Sequence, residues 1–165
     1  VVEYHHARLD RYFYATDADE IARLDTGATT GWTRTGESFG ALPAGTRATY
    51  ALPVCRFLGV PEAGIDGHFF SASPSECATV LAKWPDRWHL ETSEAFSAVA
   101  PPTPFTCEPD YWQRVYRLYD ARFGPRHRYT VSLAIRDRMR ADGWIVEGAP
   151  LDGPYDESYA MCVPK

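Results

Sequence analysis

The chain has 165 residues, a formal net charge of −5 and only two lysines, Lys83 and Lys165. That balance argues against a nucleic-acid partner, whose phosphate backbone is held by clustered cations that release counterions. Apolar residues make up 45% and charged residues 24%. Both are near the globular average, so disorder is excluded and one domain spanning residues 1–165 is expected. No apolar run approaches the roughly 18 residues that a membrane-spanning helix requires.

Taken in chain order, residues 1–5 read as a short strand with Glu3 at its centre, and Tyr12-Phe13-Tyr14 as a second strand. A helix over 17–25 follows, capped by Thr16 with Asp19 and turning Ile21 and Leu24 inward; Gly31-Trp32 then ends a turn and starts a third strand. Leu42-Pro43-Ala44-Gly45-Thr46 leads to a strand over 54–58 centred on Arg56, a Gly64-Ile65-Asp66-Gly67 loop and a strand at Phe69-Phe70. Ser73 caps a helix over 74–83, with Glu76 three residues on, Pro74 at the first helical position, and Val80 and Leu81 facing inward. Trp88 opens the next strand. The Pro-rich stretch 100–105 has the composition of a stiff connector. Beyond it come a strand over 115–119 centred on Arg117, a Gly124-Pro125 loop, a strand at Tyr129, a helix over 133–141 with Ile135 and Met139 inward, and Gly143-Trp144.

The elements therefore recur, with openings spaced by 53 and 61 residues, and the chain divides into repeats over 1–53, 54–106 and 107–165. Arg11-Tyr12-Phe13, His68-Phe69-Phe70 and His127-Arg128-Tyr129 align as the second strands. Trp32, Trp88 and Trp144 align behind them, followed by Phe39, Phe96 and Leu151. The implied fold is α+β, mainly short antiparallel strands with one short helix per repeat. It forms a pseudo-threefold single domain, either β-trefoil-like or three-bladed, whose three indoles meet in the shared core.

Four cysteines, none at metal-binding spacing, point to disulfides and secretion. Cys55–Cys77 and Cys107–Cys162 is one of three possible connectivities. Each loop closure contributes roughly 3 to 4.5 kcal/mol in the chain-entropy picture. Val1 in place of an initiator Met suggests a processed chain or a domain cut from a longer one.

No residue pattern names a reaction. His5-His6 cannot both chelate one ion from a strand, where neighbours face opposite ways, and no metal or cofactor is expected. There is no G-x-S-x-G nucleophile turn. Glu37, Glu91, Glu94 and Glu147 could pair as hydrolytic carboxylates only if the fold brought two together. The unrepeated aromatics Trp84 and Tyr111-Trp112 lie in polar segments and are candidate ligand platforms. Arg11, His68 and His127, beside Asp66 in the second copy, mark a triplicated polar position that either binds small polar groups in a multivalent manner or closes each hairpin.

Val1-Val2-Glu3-Tyr4 with Leu9-Asp10-Arg11-Tyr12-Phe13, Asp66-Gly67-His68-Phe69-Phe70-Ser71-Ala72-Ser73, His127-Arg128-Tyr129-Thr130, Gly143-Trp144-Ile145-Val146-Glu147-Gly148 and Met161-Cys162-Val163-Pro164 resemble an uncharacterised family of three-repeat domains. Those domains occur in secreted bacterial proteins, often attached to extracellular peptidases and other modules. Arg11 stands where that family usually has His. The resemblance implies secretion and an accessory role, and no catalytic residue. The expected function is a secreted, non-catalytic binding module for carbohydrate on a cell surface or polymer. The alternatives are a protein interaction or targeting module attached to a secreted enzyme, and a hydrolase with paired carboxylates.

Overall fold

A computed structural model describes residues 1–99, 107, 110–122, 124–148 and 158–165. The connector at 100–105 and Leu151 lie outside the described residues. Ten strands and three short helices follow in the order β1 (Val2–His6), β2 (Arg11–Ala15), α1 (Ala18–Asp25), β3 (Trp32–Ser38), β4 (Leu52–Gly59), β5 (His68–Ser71), α2 (Pro74–Lys83), β6 (Trp88–Ala98), β7 (Trp112–Asp120), β8 (Arg126–Thr130), α3 (Leu133–Ala141), β9 (Ile145–Glu147) and β10 (Met161–Pro164). The fold is thus mainly antiparallel sheet. In each sheet the opening strand is central: β2-β1-β3, β5-β4-β6 and β8-β7-β9, with β10 also pairing β7. The sheets are separate ladders; among the described residues one isolated backbone bridge, Val99 with Cys162, links the second to the third.

Helices of 8 to 10 residues are too short to persist alone in water. Caps and one or two buried side chains hold them. Ser73 and Ser132 accept from the N–H of Glu76 and Ile135. The first helix is capped by Asp17, which accepts from Glu20 N–H, rather than by Thr16 with Asp19. Thr16 is engaged elsewhere, donating to the Ala95 carbonyl. Leu24, Val80, and Ile135 with Met139 face inward, whereas Leu81 is exposed because it falls one residue beyond the buried stripe.

Ladder register shifts the expected alignment of the second strands by one residue. Glu3 opposes Tyr14, Arg56 opposes Phe70 and Arg117 opposes Tyr129. Tyr12, not Arg11, is therefore the counterpart of His68 and His127. Arg11 sits at the turn, where its Nη1 donates to the carbonyls of Leu9 and Asp10. The left-handed backbone of Asp10 at φ 51° makes that turn.

The same register puts Tyr14, Phe70 and Tyr129 at the common centre. Their rings meet edge to face with centroids 5.3 to 5.7 Å apart, each contact worth about 0.5–1.5 kcal/mol beyond the area it buries. Polar atoms lock this trio. Tyr129 Oη donates to the Phe70 carbonyl and accepts from Phe70 N–H, both at 2.8 Å. Tyr129 N–H donates to Tyr14 Oη at 2.6 Å, and Tyr14 Oη donates to Glu3 at 2.9 Å.

The three indoles do not meet there. Trp144 packs with Leu118, Ile135 and Met139, Trp32 against Tyr4, Phe13 and Leu24, and Trp88 against Phe57, Phe69 and Val80. A Trp at the start of a third strand lies at the strand end nearest its own helix, away from the centre. Both disulfides, Cys55–Cys77 and Cys107–Cys162, are formed.

Tyr129→Phe strands the buried Phe70 N–H, and an unpaired buried donor costs about 1–3 kcal/mol. Urea unfolding followed by far-ultraviolet circular dichroism should show that loss. A midpoint within error of the parent would refute the locking role.

Candidate functional site

Where the second sheet meets the third, three charged side chains and a histidine converge. Arg117, 7% exposed, makes a bidentate pair with Glu76 of α2, both contacts 2.9 Å. Its Nε lies 3.0 Å from Oε2 of Glu147 on β9, and the same oxygen is 3.4 Å from His127 Nε2. Phe69 of β5 packs under this array, with the Arg117 guanidinium 5.0 Å from its ring centroid. Each residue has a local reason to be there. Arg117 and Glu147 are cross-strand partners, and Glu76 is placed by the cap that Ser73 supplies.

Beside the array opens a pocket of about 400 Å³. Its aromatic wall is Trp84, Trp88, Phe69 and Tyr119, and its polar wall is Glu76, Arg117, His127 and Glu147. Trp84 ends α2 and is 43% exposed, so one indole face is open. Three buried polar atoms of the polar wall, Arg117 Nε, Glu147 Oε2 and His127 Nδ1, have no hydrogen-bond partner among the described residues. Arg117 Nε and Glu147 Oε2 face each other at 3.0 Å as an ion pair, so of the three only His127 Nδ1 has neither a hydrogen bond nor an ion contact within the array. Buried polar atoms are nearly always satisfied, which sets that nitrogen apart.

Electrostatics fixes the protonation states. Burial disfavours the Glu147 charge, yet its contact with His127 and the Arg117 charge hold the carboxyl below its ordinary value. Glu76 is likewise lowered, Arg117 outweighing desolvation. Burial pushes His127 below its ordinary 6.5 despite Glu147. At neutral pH the site presents two carboxylates, a guanidinium and a neutral imidazole.

Of the residues that sequence singled out, Trp84, Trp88, His127 and Glu147 come together in this pocket. His68 takes the same strand position one sheet earlier, 3.4 Å from Glu91. Arg11 and Asp66 lie at the hairpin end and are not among the residues lining the pocket. Burial and Arg126 disfavour the Arg11 charge, and Asp66, from the β4–β5 loop of the next sheet, favours it through space. Tyr111 stands 71% exposed. Trp112 is half-buried against Tyr50, with ring centroids 5.8 Å apart, and against the cluster around Cys107–Cys162. Neither belongs to the pocket. Glu76 escaped the sequence reading, although its offset from the Ser73 cap placed it at a helix start. Among the described residues no group of three or more metal-ligating side chains occurs.

No family model, curated protein or solved structure matches the chain.

Acid should weaken the fold in two stages. His127 titrates lower in the folded protein than its unfolded 6.5, so the unfolded chain takes up that proton first and stability declines as pH falls through 6.5. Glu76, Glu91 and Glu147, lowered from 4.5, stabilise above that value and lose their contribution as pH falls through their folded values. Urea midpoints between pH 8 and 3 test this. His127→Gln should flatten the decline that begins near pH 6.5 and leave the part of the acid limb that Glu76 and Glu91 supply, and an unchanged upper limb in that variant would contradict the assignment.

Proposed function

We propose that this chain is a secreted, non-catalytic binding module, pseudo-threefold in plan and related to the three-repeat accessory domains it resembles. Its ligand is a carbohydrate held in the pocket between α2 and β8. The observation that carries this reading is a part-exposed indole, Trp84, in one pocket with a polar wall of Glu76, Arg117, His127 and Glu147, where His127 Nδ1 has no hydrogen-bond partner. A sugar ring offers what such a site wants: an apolar C–H face for Trp84 and hydroxyls that both donate and accept. Glu147 accepts, Arg117 donates, and the neutral His127, whose Nε2–H faces the Glu147 carboxylate, accepts through Nδ1. The pocket volume also falls within the roughly 300–1,000 Å³ of small-molecule sites, which pair aromatic walls with a few placed polar groups.

Hydrolysis is the weaker reading. A glycosidase pair needs one carboxyl raised so that it can protonate the leaving oxygen. Here Arg117 holds both nearby carboxyls low, so neither carries a proton to give at neutral pH. Secretion is supported by two disulfides in a domain of this size, since such bonds persist in oxidising compartments. Among the described residues no helix is long and apolar enough to cross a membrane.

The test is a glycan array followed by calorimetric titration of the best hit. Trp84→Ala should weaken binding at least about tenfold, the equivalent of about 1.4 kcal/mol, in a variant whose far-ultraviolet circular dichroism still matches the folded parent. An array on which the parent protein binds nothing, or a hit indifferent to Trp84→Ala, would sink the reading.

A further inference from the structure

The strand β5 is a partition. Its neighbouring residues Phe69 and His68 face opposite ways, as successive strand residues must. Phe69 lines the pocket toward the third sheet, and His68 lines a second pocket of about 190 Å³ toward the first sheet. Phe13, Glu20, Arg23, Trp32 and Glu91 are among its other lining residues, and Arg56, which pairs with Glu20 and Glu91, is not. The chemistry repeats that of the larger site. Arg56 Nη1 is 3.1 Å from both oxygens of Glu20, a residue of α1 three places beyond its cap, as Glu76 is in α2. Arg56 Nε is 2.9 Å from Glu91, which is 3.4 Å from His68 Nε2. Phe13 takes the place of Phe69, 5.2 Å from the Arg56 guanidinium carbon. Arg56 Nε and His68 Nδ1 are again buried with no hydrogen-bond partner among the described residues.

We propose that this second pocket is a ligand site of its own, for the same polar, ring-shaped class of ligand but for a smaller member or a terminal unit of it. The proposal rests on the carbohydrate reading of the larger pocket and extends it to two sites per chain. Size and one substitution set them apart. Arg23 of α1 stands where α2 has Thr79, so a long cation reaches across the smaller mouth, and no counterpart of Trp84 lines it. The smaller site therefore recognises its ligand mainly by hydrogen bonds, and binds more weakly. Two sites separated by one strand let a polymer with repeated units engage both, gaining avidity without any new contact.

The third meeting of sheets has lost the arrangement. Tyr12 replaces the imidazole and packs among Leu118, Ile135, Met139, Trp144 and Val146. The helix position of Glu20 and Glu76 is Ile135, and the charges are reversed, with Glu3 on the opening strand held by Arg128 at 2.8 and 2.9 Å. Two sites, not three, is the expected number.

The five indole N–H resonances in a ¹H–¹⁵N spectrum report on these places separately. Glucose, N-acetylglucosamine and glucuronate, each titrated to millimolar excess, are the probes. For at least one of them the Trp84 and Trp88 signals should move together. The Trp32 signal should move at a distinct, higher concentration, keep doing so in Trp84→Ala, and stay still in His68→Gln and in Glu91→Gln. If Trp84 and Trp88 respond while Trp32 stays fixed, the second site is refuted and the first stands. A Trp32 response lost in Trp84→Ala is transmitted through β5 and also refutes it. If no indole moves with any probe, the carbohydrate reading of the larger pocket falls, and the second site with it.

Discussion

A buried chain of hydrogen bonds ties the three sheets together, and the rest of the molecule is arranged around it. From the Phe70 backbone on β5 it runs through the Tyr129 hydroxyl on β8 to the Tyr129 N–H, the Tyr14 hydroxyl on β2, the Glu3 carboxylate on β1 and the Arg128 guanidinium on β8. Glu3 is 1% exposed and Arg128 7%. A charge so deep is tolerable only when fully paired, and removing one partner of such a pair typically costs about 3–5 kcal/mol. The interaction therefore specifies which sheets meet more than it adds net stability, because packing any other edge against Glu3 would strand its charge.

Each meeting of sheets contains one Arg–carboxylate pair laid over an aromatic ring, but the source of the charges changes. At the first two, a helix supplies the acid and the next opening strand supplies Arg56 or Arg117. At the third, the opening strand supplies the acid, and Arg128 comes from the position that Phe13 and Phe69 hold elsewhere, lying 4.4 Å from the Tyr12 ring centroid. That reversal fills the third meeting with side chains. At the first two, Arg56 and Arg117 share themselves between two carboxylates, leave their Nε atoms without a hydrogen bond, and leave room beside a histidine.

Much of this frame was legible in the residues. The single charged position at the centre of each opening strand, Glu3, Arg56 and Arg117, was visible, and all three turn out to be the charges on which the sheets join. Two helices were placed to the residue, 74–83 because the Ser73 cap and Pro74 leave little choice and 133–141 from the inward spacing of Ile135 and Met139, and the cysteine positions allowed the pairing that formed. The one-residue slip at Arg11 arose because Arg11-Tyr12-Phe13 matches the later copies by polarity as well as Tyr12-Phe13-Tyr14 does by shape. Only the ladder, in which Glu3 faces Tyr14, decides between them. The pocket was hidden for a different reason. Its walls come from α2, β5, β7, β8 and β9, and no local pattern links Glu76 to Glu147 across 71 positions of sequence.

The tryptophans show how far local equivalence carries. Trp32, Trp88 and Trp144 open the same strand in each sheet, opposite His6, beside Gly59 and next to the partner of Tyr119, so backbone geometry gives all three the same starting point. Their surroundings then diverge with the neighbour across the sheet boundary. Trp144 meets Tyr12, lies 4.8 Å from the Arg126 guanidinium carbon and is 8% exposed. Trp32 and Trp88 meet the imidazole side of the boundary, stay only partly buried and form the backs of the two pockets. One indole became core and two became pocket lining through what the adjacent sheet presents. In a fold built from similar units, the role of a repeated aromatic is therefore set by the boundary it faces and not by its place within the unit.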